Sequence, residues 1–211
     1  LTDGDVLSDR GRVVRSFEEL LRAFSPVPLA DYGLDALQIM STNEIYFSVK
    51  TNFWSASLGW VGHGDLLSDR GVIIKRNAEL LARFHPADAK LDYGLDDLYV
   101  WPSGEIWFST AQGFEDTQLG LILPGDLLSD QGYRVYGNLE LLSAFAPLEA
   151  LADFGLDALY VVTDLSVPDT SARMMRLALE RQTGGLTLEW DSQGRVVQLE
   201  CADTVTGPWA V

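Results

Sequence analysis

Gly64-Asp65-Leu66-Leu67-Ser68-Asp69-Arg70-Gly71 is the stretch on which the reading of this chain turns, because it occurs three times. Gly4-Asp5-Val6-Leu7-Ser8-Asp9-Arg10-Gly11 precedes it by 60 residues, and Gly125-Asp126-Leu127-Leu128-Ser129-Asp130-Gln131-Gly132 follows it by 61. A second block keeps step: Asp31-Tyr32-Gly33-Leu34-Asp35, Asp92-Tyr93-Gly94-Leu95-Asp96 and Asp153-Phe154-Gly155-Leu156-Asp157. A third, Glu44-Ile45-Tyr46-Phe47-Ser48, matches Glu105-Ile106-Trp107-Phe108-Ser109 and has no clear third copy. Agreement at one fixed period marks a repeat architecture, with units starting near residues 4, 64 and 125.

Each unit reads as four short strands. Leu98–Trp101 and Ile106–Ser109 flank the Pro/Gly turn Pro102-Ser103-Gly104-Glu105. Leu66–Ser68 and Val72–Ile74 flank Asp69-Arg70-Gly71, where glycine supplies the positive φ of a tight hairpin turn. The 15 or so residues between the hairpins read as a connection. After the fourth strand, Asn77–Phe84 predicts a helical turn or two with Asn77 as a cap, ended by Pro86. Four antiparallel strands per repeat are the composition of a propeller blade. The expected fold is therefore mainly β, with about three four-stranded antiparallel propeller-blade-like repeats and short helical turns over residues 1–162. The repeats begin on a third strand and end on a first strand, Leu159–Val162, an offset that suits ring closure. Three units fall short of the four to eight blades of a propeller. A compact pseudo-threefold fold, an arc of a longer array and a ring completed by self-association all remain open.

Residues 163–211 break the pattern and read as a divergent segment expected to pack on the repeats. Ser171–Arg181 suggests a short helix or strand entry, and Leu186–Trp190 with Arg195–Glu200 alternates as a C-terminal β-hairpin. Leu188-Glu189-Trp190, Val197-Gln198-Leu199-Glu200 and Thr206-Gly207-Pro208-Trp209 resemble segments of fibronectin type III-like modules in bacterial secreted proteins. The repeats themselves resemble uncharacterised repeat regions of large bacterial extracellular proteins. That resemblance implies a secreted or cell-surface setting and brings no catalytic residues with it.

Composition narrows the function classes. Of 211 residues, 47% are hydrophobic and 22% charged, too apolar a mixture for a disordered chain. No apolar run approaches the roughly 20 residues of a bilayer-spanning helix, so membrane insertion is not expected. Asp and Glu outnumber Lys and Arg by 31 to 15, a net charge of −16, which disfavours nucleic acid and anionic lipid as partners. A single cysteine, Cys201, leaves no intrachain disulfide and no cysteine-based zinc site; it reads as a small buried apolar residue. Leu1 follows no initiator Met and opens no signal pattern, as expected of a mature or excised segment.

The recurring acids raise a calcium site as one expectation, with Asp5, Asp9, Asp65, Asp69, Asp126 and Asp130 as ligands, since calcium takes six to eight oxygens. Against it, Asp3-Gly4-Asp5-Val6-Leu7 puts leucine where an EF-hand loop needs oxygen, and Asp in a tight turn bonds nearby backbone N–H groups anyway. Glu44 and Glu105 occupy equivalent places in two repeats, a poor arrangement for the paired carboxylates of a hydrolase. His63 and His85 do not recur and lie at no metal-ligand spacing. Gly59-Trp60-Val61-Gly62-His63-Gly64 lacks the dinucleotide-binding spacing, and no Walker A sequence occurs. Trp54 and Trp60 stand out, because the next repeat has Glu115 and Leu121 at those places. Recurring residues account for folding, so ligand contact falls to non-repeating ones, with Trp54, Trp60 and His63 as candidates. The expectation is a non-enzymatic extracellular binding or scaffold module, without a cofactor unless calcium binds. A carbohydrate-binding module is the first alternative, and a hydrolase using acidic loop residues the second. A glycan, another protein or a second copy of the chain are the expected partners.

Overall fold

The computed structural model describes residues 1–145, 155–161, 180–182 and 185–187. The chain divides into two compact units, Leu1–Val161 and Val162–Val211. The first opens with β1 (Val6–Ser8), β2 (Arg12–Arg15), the short helix α1 (Phe17–Leu21) and β3 (Pro26–Val27). A full repeat follows: β4 (Leu37–Ile39), β5 (Ile45–Phe47), β6 (Phe53–Ser55), β7 (Gly59–Val61), β8 (Leu66–Ser68), β9 (Val72–Lys75) and α2 (Asn77–Leu80). The next is β10 (Asp97–Val100), β11 (Ile106–Ser109), β12 (Phe114–Asp116), β13 (Gly120–Ile122), β14 (Leu127–Ser129), β15 (Tyr133–Tyr136) and α3 (Asn138–Leu142).

The two expected hairpins of each full repeat join into one antiparallel sheet, in the order β4-β5-β8-β9 and again β10-β11-β14-β15. The connection between the hairpins is itself a hairpin, β6-β7 in one repeat and β12-β13 in the next. Sequence reading missed it because three-residue strands show too little alternation. Yet Phe53 and Val61 turn inward, as do Phe114 and Ile122. β6 also pairs with β3 of the preceding half-repeat, giving a three-stranded sheet β3-β6-β7. The architecture is thus mainly β, with several antiparallel sheets and a few short helices. Among the described residues no sheet closes on itself. Residues 155–161 carry no strand, so the first strand expected from Leu159 is not formed there. Nor is any helix among the described residues long and apolar enough to cross a membrane.

The core lies between successive repeats. Phe24, from the helical turn after α1, meets Phe47 and Phe53 of the following repeat edge-on, with ring centroids 6.3 and 5.9 Å apart. Phe84 meets Phe108 and Phe114 in the same way, at 6.3 and 6.1 Å. Such edge-to-face packing holds each helical turn on the next sheet. In the second unit, β16 (Glu180–Gln182) pairs antiparallel with β17 (Gly185–Thr187). The expected tail hairpin, the fibronectin-like segments and Cys201 lie outside the described residues, apart from Leu186 and Thr187 of β17.

At the joint between repeats, Gly71 and Gly132 have positive φ, 78° and 88°. A Cβ at Gly71 would fall 2.9 Å from the Ala23 carbonyl oxygen, and one at Gly132 would fall 2.9 Å from that of Arg83. Gly11 shares the positive φ but has nothing within 4 Å of such a Cβ. Gly11→Ala therefore costs about 1 kcal/mol of backbone strain. Gly71→Ala adds a backbone overlap and loses about 3 kcal/mol in all, a difference that urea unfolding of the two variants measures.

Candidate functional site

The carboxylates expected to hold calcium have backbone partners. Asp65 Oδ1 accepts the Asn77 N–H at the first residue of α2 (3.1 Å), and its Oδ2 accepts the Gly62 N–H (3.0 Å) and the Arg76 guanidinium (2.7 Å). Asp126 repeats this with the N–H groups of Asn138 (2.8 Å) and Leu123 (3.0 Å). Asp5 does the same with those of Phe17 (3.1 Å) and Thr2 (3.0 Å). Each aspartate thus closes its own turn with one oxygen and satisfies an orphan donor at a helix start with the other. Glu19, Glu79 and Glu140 complete the caps by accepting the N–H of Ser16, Arg76 and Gly137. Asn77, expected as a cap, is instead the first helical residue, and its side-chain Oδ1 accepts the Tyr93 N–H at 3.2 Å.

The second recurring aspartate extends the sheet ladder. The side chains of Asp69 and Asp130 accept the N–H of Ile45 and Ile106, while their own N–H groups donate to the carbonyls of those same residues. Asp9 is exposed, and among the described residues β1 beside it pairs with β2 alone. Among the described residues, no group of three or more His, Cys, Asp or Glu side chains is placed to hold a metal ion. EDTA is accordingly expected to leave the melting temperature unchanged, whereas Asp65→Ala strands two buried N–H groups and an arginine and lowers stability by about 3 kcal/mol. Calorimetry of both samples checks the pair of outcomes.

Glu44 and Glu105 stay within their own sheets. Glu44 accepts the Ser68 hydroxyl (2.5 Å) and pairs with Arg70 (3.3 Å). Glu105 accepts the hydroxyls of Ser129 (2.6 Å) and Tyr133 (2.5 Å) and the Trp107 indole N–H (2.9 Å). Those hydroxyl contacts hold its carboxyl below the usual range.

A different set of acids does converge. The Ser48 hydroxyl donates to the Leu95 carbonyl (2.6 Å) and the Ser109 hydroxyl to that of Leu156 (3.0 Å), docking the Gly-Leu-Asp segment of each repeat on its predecessor. This seam brings Asp35, Asp96 and Asp157 within range of one another's charge. Burial, then repulsion from Asp35 and Asp157, pushes Asp96 up to about 6. Next to it, Asp97 is buried with Oδ2 unpartnered, and burial foremost pushes it up to about 7, while the Leu98 N–H on Oδ1 opposes the rise. The other repeats have alanine at its place, Ala36 and Ala158.

A carboxyl whose pKa is higher in the folded chain than in the unfolded one stabilises the fold most when protonated. Its contribution fades as pH rises from the ordinary 3.8 through the folded value. Stability should therefore fall between about pH 4 and pH 7 through Asp97 and Asp96. Asp97→Ala removes much of that slope, raising the melting temperature at pH 8 and changing it little at pH 4. An unchanged pH profile would contradict the assignment.

Trp54 and Trp60 lie on strands rather than in a loop. They are direct cross-strand partners in β6-β7, and Val27 of β3 is the partner of Trp54 on its other side. All three stand outward, with Val27 57%, Trp54 54% and Trp60 57% exposed. The result is an apolar row across three strands, about 10 Å wide at ordinary strand spacing. The Arg76 guanidinium supports it from the edge by donating to the Trp60 carbonyl at 2.8 Å while holding Asp65. His63 has other partners: its ring Nδ1 lies 2.9 Å from Asn52 Oδ1 and 3.5 Å from Asp92, and its carbonyl accepts the Leu95 N–H. It belongs to the seam between repeats. The contribution of Val27 was not visible in sequence, because it comes from a two-residue strand of the preceding half-repeat. A hollow of about 140 Å³ beside Leu81, Phe84, Pro86 and Tyr93 contains no acidic side chain. No family model, no curated protein and no solved structure matches the chain.

Proposed function

We propose that this chain is a non-enzymatic binding module acting outside a bacterial cell, and that its β3-β6-β7 face takes a neutral polysaccharide. The observation that carries this reading is the exposed row Val27-Trp54-Trp60. Two indoles held side by side on paired strands offer a rigid apolar platform at little entropic cost, suited to the flat apolar faces of sugar rings. Contiguous exposed apolar surface of this kind marks interaction sites. A net charge of −16 repels anionic chains, which favours neutral ones. The four-stranded repeats serve as blades of a propeller-like array, a reading supported by the identical strand order of the two complete sheets. The array sets the platform on its outside and leaves the recurring residues to folding. A hydrolase finds less support, since Glu44 and Glu105 are each engaged within separate sheets.

A glycan array with fluorescence titration of the indoles tests this. Trp54→Ala and Trp60→Ala are each expected to weaken binding about tenfold or more, consistent with the loss of a stacked aromatic anchor. Both should leave the melting temperature nearly unchanged, because the side chains are exposed. Leu121→Ala, at the equivalent place of the next repeat, should change nothing. Absence of binding to every neutral glycan, or binding that survives the double tryptophan variant, would overturn the proposal.

A further inference from the structure

α2 and the turn after it carry smaller side chains than their copy in the first half-repeat. Asn77, Ala78 and Ala82 stand where that copy has Phe17, Glu18 and Arg22. The segment that follows is one residue longer, running from Pro86 to Asp92 against Pro26 to Asp31. Between helix and segment lies the hollow of about 140 Å³, and every residue lining it falls within 77–93. Its floor is Leu81, Phe84 and Tyr93, all buried, and its rim is Ala78, Ala82 and Leu91, all exposed.

The shape of the hollow is fixed from behind. Phe84 packs edge-on against Phe108 and Phe114, and Tyr93 lies on Phe114 with ring centroids 4.9 Å apart. The looped segment is pinned as well. The Tyr93 hydroxyl donates to the Asp88 carbonyl (2.9 Å), the Lys90 N–H to the Asp88 carboxylate (3.0 Å) and the Ala87 N–H to the Glu115 carbonyl in β12 (2.9 Å). The polar side chains of the lining are already engaged. Asn77 accepts the Tyr93 N–H through Oδ1 and donates to the Gly94 carbonyl through Nδ2, and the Tyr93 hydroxyl serves Asp88. In a chain of net charge −16, no charged side chain lines the hollow.

We propose that this hollow is a second binding site, which takes a small neutral aromatic molecule of a single ring. Three observations commit it to that occupant. Its volume matches one ring, since an apolar cavity of about 150 Å³ takes benzene. Its polar atoms are paired within the chain, so a charged ligand would lose its water there and find no partner. Its floor carries the rings of Phe84 and Tyr93, against which an aromatic guest packs edge to face or offset. A preformed apolar hollow of this kind costs little to order on binding. The site shares no residue with the tryptophan row and does not depend on the polysaccharide reading.

The test uses the full chain and fluorobenzene, followed by fluorine NMR. The ring fluorine should shift saturably as protein is added, and the methyl signals of Leu81 and Ala82 should move with it. Fluorobenzoate, the charged counterpart, should not bind. The double variant Ala78→Leu/Ala82→Leu fills the hollow from its rim and should weaken fluorobenzene binding about tenfold or more. Because both alanines are exposed and leucine is a strong helix former, the melting temperature should hold, which separates a filled site from a lost fold. Trp54→Ala/Trp60→Ala should bind fluorobenzene as the parent chain does. No saturation up to the solubility of fluorobenzene, equal binding of fluorobenzoate, or binding indifferent to the rim variant would overturn the proposal. So would loss of binding in the tryptophan variant, because the ring would then sit on the outer row instead.

Discussion

Asp65 and Asp126 each tie three pieces of chain together with two oxygens: the turn before a strand, the strand itself and the start of a helix twelve residues later. Both carboxylates are buried, so the N–H groups they serve have no water to fall back on. The hairpin between turn and helix is thereby fixed in length, since it must return to the same aspartate. Once it is fixed, Phe84 follows from the helical turn and reaches the next sheet, and the following repeat is seated against it. The same logic holds at Asp5, in a more exposed setting, for Phe24. A polar clamp sets the geometry, and the aromatic core between repeats depends on it.

Repetition also explains where the chain is free to differ. Residues that close the turns and cap the helices, Asp5, Asp65 and Asp126 among them, recur because each must satisfy the same backbone partners in its own copy. Residues on the outer side of the inserted hairpins meet no such partner, and there Trp54 and Trp60 stand where the next repeat has Glu115 and Leu121. The same freedom appears in the arginines. Arg76 follows β9 and Arg134 lies within β15, at different places in their repeats. Each nevertheless bridges the clamp aspartate and a carbonyl of the inserted hairpin, at Trp60 and Leu121. A long guanidinium side chain reaches one location from two starting points. Asp97 is the converse case, a carboxyl placed where its sister repeats use alanine, and burial raises its pKa as a result.

How much of this was legible beforehand depends on whether the signal lay within one stretch of chain. The four strands of each sheet were, because Leu66–Ser68 with Val72–Lys75 and Asp97–Val100 with Ile106–Ser109 are hairpins closed by local turns. The turn glycines were legible as well. The inserted hairpins were not, since Phe53–Ser55 and Gly59–Val61 are too short to show their alternation until Phe24 is packed beneath Phe53. Asp5, Asp65 and Asp126 were recognised as recurring acids and read as turn residues or calcium ligands, but not as helix caps, because their second backbone partners lie twelve residues downstream at a helix start. Trp54 and Trp60, singled out as non-repeating aromatics of a loop, instead stand exposed on paired strands. His63 looked equivalent to them in sequence, yet Asn52 and Asp92 hold it in the seam.

By itself the sequence determined the repeat, its period, the mainly β character and the positions at which successive repeats differ. These are local matters of turn chemistry, strand preference and self-similarity. Only the tertiary structure decided that Val27 completes the tryptophan row and that Asp35, Asp96 and Asp157 come within range of one another's charge. Each of those depends on which segments meet across a repeat boundary. That meeting is governed by burial of aromatic side chains from one repeat against the sheet of the next, a contact between residues far apart along the chain that no local pattern encodes.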